Sequence, residues 1–294
     1  MTEMLGWNSF RYDGGRTFKI GNVPTSTAAP YRKKSDYKEQ LAEGCAELDE
    51  LQQMMSAQAR HGVLVIFQAM DAAGKDGTIR RVFSGVNPQG VSVHSFKRPS
   101  EEELHHDFLW RSMDHLPARG AISIFNRSYY EEVLVARVHP EIVKNYQRLP
   151  EECLENFDTI WEQRWTSMRE HEAHLVRNGI RVLKFFLNVS KEEQKQRFID
   201  RIDEEEKNWK FNEGDLKERA LWDDYQQAFE ETINATGTKE APWYVIPADD
   251  KKTARLLVSQ IIRKELRGLG LSFPKVSPER REELQEYRAQ LLSE

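Results

Sequence analysis

"GVLVIFQAMDAAGKDGTIRRV", residues 62–82, is the stretch on which the reading of this chain turns. Its opening, "GVLVIF" (62–67), is a short continuous apolar run, the pattern of a strand buried on both faces. Lys75 to Val86 suits a helix, so the glycine–lysine pair at 74–75 falls between a strand and a helix. At such a turn the free N–H groups of the helix start point at an anion, and the helix dipole favours negative charge. Gly74 and Gly77 let the backbone curl closely and Lys75 supplies a mobile cation, so the loop reads as a phosphate cradle. The pattern G-x-x-x-x-G-K-[ST] is broken twice, by Ala69 at the first glycine and by Asp76 at the magnesium-binding hydroxyl. Thr78 is a candidate to restore that hydroxyl. The competing reading is a helix start with incidental glycines.

Outward from this stretch, four more segments have strand character: "GVSVHSF" (90–96), "GAISIF" (120–125), "GIRVLKFFL" (179–187) and "APWYVIPA" (241–248). Helical stretches lie between them, among them a long one from Pro150 to about Asn178, and "PSEEELHHDFLWRSM" opens with a capping-box pattern, Ser100 and Glu103. Upstream, Tyr37, Leu41, Leu48, Leu51 and Met55 give one apolar helical face between Asp36 and about Arg60. Strands alternating with helices predict an α/β class protein, a parallel five-stranded sheet with helices on both faces. Residues 1–34 are rich in Gly, Pro, Ser and Thr and read as an irregular arm. The catalytic domain is expected over 35–270, with a helical tail over 271–294.

Composition narrows the function. Charged residues make up 31% of the 294 and hydrophobic ones 39%, an ordinary core under a solvated surface. No segment approaches the roughly 20 apolar residues that span a bilayer. "MTEMLGWNSF" lacks a basic region followed by an apolar one, so neither a membrane nor a secretory signal is expected. Cys45 and Cys153 have no ligand-like spacing and read as reduced thiols of a cytoplasmic protein. The net charge of −5 argues against a general nucleic-acid binder, yet it leaves room for basic residues gathered into one channel for a polyanion.

Three further groups of residues carry chemistry. "IFNRSYYEEVL" (124–134) begins at the C-terminal end of the third strand, where open parallel sheets place ligands, so Asn126 and Arg127 face the crevice. Glu131 and Glu132 open the next helix; the plainer account is a polar turn favoured by the helix dipole. Lys195, Arg197 and Arg201 follow the fourth strand, and positions 197 and 201 share a helical face. They suit either a basic helix that closes over a transferring phosphoryl group or a solvated charged surface. Lys97, Arg98, Lys184 and Lys191 share that ambiguity. Asp71, inside the loop, either holds Mg2+, orients an acceptor phosphate or caps the helix. No histidine motif for metal, G-x-S-x-G elbow or catalytic-cysteine signature is present.

Together, "QAMDAAGKDGTI", "GVNPQGVSVHSFKRPSEEELHHDFLWR", "FNRSYYEEVLVARVHP", "KFFLNVSKEEQKQRFIDR" and "LWDDY" followed by "APWYVIPADDK" resemble the polyphosphate kinase 2 family, in order and over roughly residues 30–268. The resemblance implies a three-layer α/β/α P-loop kinase fold similar to thymidylate kinase, with a helical lid at about 190–215. It also implies Mg2+, a homo-oligomer (dimer or tetramer), and reversible phosphoryl transfer between inorganic polyphosphate and nucleotides. Asp71, Ala72, Ala73, Gly74, Lys75, Asp76, Gly77 and Thr78 match the family's Walker A loop, Asn126 and Arg127 its Walker B position, and Arg197 and Arg201 its lid. The reading assigns Asp71, Lys75, Arg127, Arg197 and Arg201 to catalysis. Lys97, Asn126, Tyr130 and Glu131 go to the acceptor side, and Asp71 and Glu131 to the metal. Ala69, Tyr129 and Glu132 depart from residues usual in similar members, and "FNRS" accords with phosphorylation of nucleoside diphosphates, of AMP, or of both. The rival functions are an ATP-dependent nucleoside monophosphate kinase and a non-catalytic polyphosphate- or nucleotide-binding protein.

Overall fold

The computed structural model describes residues 6–294. All five strand segments form strands: β2 (Gly62–Gln68), β3 (Val91–Ser95), β4 (Ile122–Asn126), β5 (Ile180–Asn188) and β6 (Trp243–Pro247), while β1 (Arg11–Tyr12) lies in the arm. The sheet order is β1-β6-β5-β2-β4-β3. The expected five-stranded parallel sheet is therefore a six-stranded mixed one: β2 to β6 run parallel, but β1 pairs antiparallel with β6. The arm, apart from its first five residues, which lie outside the described ones, is tied to the fold rather than irregular throughout. Phe18 is buried, and its N–H and carbonyl are both held by the Asn234 amide.

Counting helices of eight residues or more in chain order, α1 is Lys34–Gln58, α2 Lys75–Val82, α3 Ile160–Arg177, α4 Lys191–Asp203, α5 Glu213–Ala220, α6 Trp222–Thr236, α7 Lys251–Arg267 and α8 Pro278–Ser293. The long helix expected from Pro150 starts only at Ile160, because the chain leaves helical geometry at Asn156 (φ −113°, ψ 60°). The Ser100–Glu103 capping box forms with both hydrogen bonds but heads only a 3-10 turn, Glu103–His105.

Strand alternation assigns the helices to the two faces. Lys184 and Phe186 of β5 point to one face, where Lys184 meets Glu172 of α3 and Phe186 stacks on Phe229 of α6 (4.2 Å). Phe185 points to the other, stacking on Phe67 and Tyr244, and the Tyr244 hydroxyl donates to Glu265 of α7. Helices α1, α2 and α7 pack on one another on that side. The central strands are buried along their whole length, which explains their unbroken apolar sequence. The carboxyl ends of β2, β3, β4, β5 and β6 consequently open on one edge, where the predicted site residues gather.

Candidate active site

The turn from β2 into α2 is held in an uncommon backbone. Ala72 (φ 60°) and Gly74 (φ 106°) are both left-handed, as is Arg127 (φ 63°) just beyond β4. For Ala and Arg this costs about 1 kcal/mol or more each, and it persists only where the surroundings enforce it. The Arg127 N–H donates to the Phe67 carbonyl at 3.0 Å, fixing the end of β4 against β2. Gly77, by contrast, is an ordinary residue of α2 without positive φ. Its lack of a side chain answers another need, since a Cβ there would lie 3.2 Å from Arg255 Nη2.

A cavity of about 610 Å3 opens over this turn. The loop contributes Asp71, Ala72, Gly74, Lys75, Asp76 and Gly77, the ends of β3 and β4 contribute Lys97, Asn126 and Arg127, and α4 contributes Arg197 and Arg201. Nine lining residues are Lys or Arg and three are Asp, so the cavity of an acidic protein attracts anions. Ala73 in the turn and Thr78 in the first part of α2 are buried and do not line the cavity. Lys75 is buried and donates to its own loop, at the Ala69 carbonyl (3.0 Å). Burial, with the Arg127 charge adding to it, pushes its amine below the usual lysine range.

Arg127 joins two carboxylates, with Nη2 donating to Asp71 at 2.8 Å and Nη1 to Glu131 at 3.2 Å. The Glu131 charge, then that of Asp71, raises its pKa above the usual arginine value. Asn126 Nδ2 donates to Asp76 Oδ1 at 2.6 Å, orienting the carboxylate that stands where a hydroxyl was expected.

The two arginines of α4 do not share a role. Arg197 is only 3% exposed, and all five of its N–H donors are occupied. Nε donates to Glu193, Nη1 to the Ala72 and Ala73 carbonyls, and Nη2 to the Ala248 and Asp249 carbonyls, over 2.7–3.0 Å. It therefore has no donor free for a phosphate and acts as a clamp between the loop after β2 and the turn after β6. Gln194, one turn earlier, adds a bond to the Asp71 carbonyl (3.0 Å). Arg201 is more open and makes one long contact to Asp215 (3.4 Å).

A second cavity, of about 480 Å3, adjoins the first and shares Asp71, Arg98 and Arg127 with it. Met70, Leu134, Val135 and Phe229 give it apolar walls, Tyr225 an aromatic one, and Glu131, Asp215 and Glu218 its carboxylates. Glu131 thus sits in this second chamber. Tyr130, assigned to the acceptor side, reaches neither cavity. It is 0% exposed, its hydroxyl donates to Glu172 (2.7 Å) and accepts from Lys184 (3.1 Å), and it belongs to the core. Lys184 is likewise sealed in, paired with Glu172 at 2.5 Å. Glu132 turns away into a buried pair with Arg164 (3.2 Å).

Sequence reasoning missed Lys207, Lys210 and above all Lys251, which line the first cavity. Lys251 opens α7 directly after β6, so the rule that placed Arg127 at the carboxyl edge would have found it. Burial, then the neighbouring Arg197 charge, holds its amine below the usual lysine range.

The geometry is that of an α/β protein that binds a polyanion at the carboxyl edge of its sheet, beside a chamber with apolar walls. The chain belongs to the polyphosphate kinase 2 family, whose sequence model matches residues 31–270. It is 52% identical to an ADP-polyphosphate phosphotransferase of Rhodopseudomonas palustris, over 96% of this chain and 97% of that one. An AMP/ADP-polyphosphate phosphotransferase of Meiothermus ruber is 47% identical, over 86% of this chain and 89% of the other. The crystal structure of polyphosphate kinase 2 from Arthrobacter aurescens TC1 superposes with a TM-score of 0.85 at 37% identity, covering 97% of this chain and 96% of that one.

Proposed function

We propose that the protein is a polyphosphate-dependent nucleotide kinase, transferring phosphoryl groups reversibly between inorganic polyphosphate and nucleoside mono- or diphosphates. The observation that carries this reading is the pair of cavities meeting at Asp71, Arg98 and Arg127, one basic and one with apolar and aromatic walls. A polyphosphate donor needs only repeated contacts to phosphate oxygens, which Lys75, Lys97, Arg201 and Lys251 supply. A nucleoside needs apolar surface, which Met70, Phe229 and Tyr225 supply. The transferring group then lies at the shared wall, where Arg127 and Lys75 neutralise its oxygens and hold both ends in line. Phosphoryl transfer asks for little beyond such positioning and charge. The phosphate loop is a variant P-loop, and α4 with the segment to Asp215 forms the lid, Arg201 facing the donor while Arg197 secures the hinge.

Mg2+ suits these residues. Among the described residues no three carboxylate, His or Cys side chains converge, and Mg2+ commonly takes one or two carboxylates with the remaining oxygens from phosphates and water. Asp71 and Glu131, both oriented by Arg127, would hold it, and it would neutralise charge on the phosphates. Incubating the protein with polyphosphate and AMP, ADP, GMP or GDP, without ATP, tests the reading. Formation of the next higher nucleotide is expected; turnover only when ATP is added would indicate an ATP-dependent kinase, and binding without product a non-catalytic role.

A further inference from the structure

A third depression, of about 770 Å3, runs beside α2 between α1 and α7, lined by Lys34, Lys38, Arg81 and Arg255 with Tyr37 and Leu41 among its walls. Its one acid, Asp49, is already engaged, accepting from the Asn87 N–H and the Gln53 amide. Arg263 and Arg267, further along α7, pair with Glu47. None of the four groove cations has an ion pair among the described residues.

Arg255 is the most telling of them. Its Nε is buried without any acceptor, and the guanidinium makes one marginal contact, Nη1 to the Tyr37 hydroxyl at 3.5 Å. Arg197, across the phosphate loop, fills every donor, four with backbone carbonyls and one with the Glu193 carboxylate; Arg255 leaves nearly all of its donors open. A half-buried guanidinium in that condition calls for an external anion.

The groove neighbours the catalytic cavity, although the two share no lining residue. Lys251 lines the cavity and Arg255, four residues on along α7, lines the groove. Gly77 lines the cavity too, and Arg255 Nη2 lies 3.2 Å from where a Gly77 side chain would begin. Positive charge thus continues from one chamber into the next past a residue that has no side chain.

We propose that this groove is a second polyanion subsite, taking the distal phosphates of an inorganic polyphosphate chain whose reacting end lies in the catalytic cavity. The proposal rests on the kinase reading above for the identity of the chain. A long polymer engages both chambers, whereas a short one fills only the first. The groove therefore sets affinity for long chains and leaves the chemical step alone.

The test is a triple variant, Lys34→Gln, Lys38→Gln and Arg81→Gln, which spares Arg255 because it packs against the phosphate loop. Equilibrium binding of long-chain polyphosphate and of tripolyphosphate is measured for wild type and variant over a series of salt concentrations. Long-chain affinity should drop several-fold, and the slope of log affinity against log salt should flatten by about 2, for three lost phosphate contacts on a single-stranded polyanion. Tripolyphosphate affinity and kcat at saturating long chain should not change. Unaltered long-chain affinity and slope would overturn the proposal, as would equal weakening of both ligands, which would reduce the three cations to a general field. Failure of the kinase reading would show separately, as wild type giving no nucleotide product, and the binding comparison would still decide the groove.

Discussion

Replacing Arg197 by Gln removes a guanidinium that holds four carbonyls on two separate loops. The bonds to the Ala73 and Ala248 carbonyls are buried, while those to Ala72 and Asp249 are open enough for water to replace them. A buried acceptor left without a donor costs about 1–3 kcal/mol, so the two together predict a loss of about 2–6 kcal/mol. The pair with the half-exposed Glu193 adds only a few tenths. At about 2–4 °C per kcal/mol for a large domain, the melting temperature should fall by roughly 4–24 °C. Arg201→Gln removes a partly exposed pair worth about 0–1 kcal/mol, so that variant should melt close to wild type while losing turnover. Thermal melts by circular dichroism, with kcat measured well below the melting range, separate the two. The reasoning fails if Arg197→Gln melts with wild type yet loses activity. That result would return Arg197 to a direct phosphate contact, as its place on the helix first suggested.

Lys75→Ala should lower kcat by on the order of 100-fold or more, the usual effect of losing one preorganised electrostatic donor; steady-state rates within a few-fold of wild type would remove Lys75 from the reaction. Asp71→Asn should abolish most activity while the melting temperature scarcely moves, because its pair with Arg127 is partly exposed and worth about 0–1 kcal/mol; a large stability loss with matching residual activity would favour a capping role. Burial holds the amines of Lys75 and Lys251 below the ordinary 10.5. Their neutral forms therefore appear earlier as pH rises, and kcat/KM for polyphosphate should decline on the alkaline side below that value; a profile flat to 10.5 contradicts this. Lys184→Met leaves the buried Glu172 carboxylate without its ion-pair partner and should cost about 3–5 kcal/mol in denaturant melts; adding Glu172→Leu should not recover the whole loss, because the buried Tyr129 and Tyr130 hydroxyls then lose their acceptor.

Much of this molecule could be read from its chain, and the exceptions have physical causes. The parallel strands β2 to β6 were legible because strands buried on both faces need unbroken apolar runs, as in "GVLVIF" and "APWYVIPA". β1 was not, since two residues between a 3-10 turn and the Gly14–Gly15 turn carry no periodicity. Lys75, Asp71, Asn126 and Arg127 were found from the turn chemistry at strand ends, and the fold brings them together. Arg197 could not be separated from Arg201 by sequence: four of its five donors go to backbone carbonyls of residues remote along the chain, and no side-chain pattern records a carbonyl. Tyr130 sits beside a residue that does reach the site, and the neighbouring Glu172 and Lys184 that draw it inward come from other elements.

The N-terminal strand has a bearing on how the chain is made. Synthesis produces β1 before any of the parallel strands, yet its sheet partner is β6, and the Asn234 amide that secures Phe18 lies 216 residues further on. Contacts of such separation form slowly, because the closure entropy must be met before any pairing is gained. During translation the arm therefore waits unpaired until β6 has been made. Once docked, it covers the edge of β6 that would otherwise offer free N–H and carbonyl groups to another chain. The short arm is thus a latch on a nascent sheet, closed only when nearly the whole domain has left the ribosome.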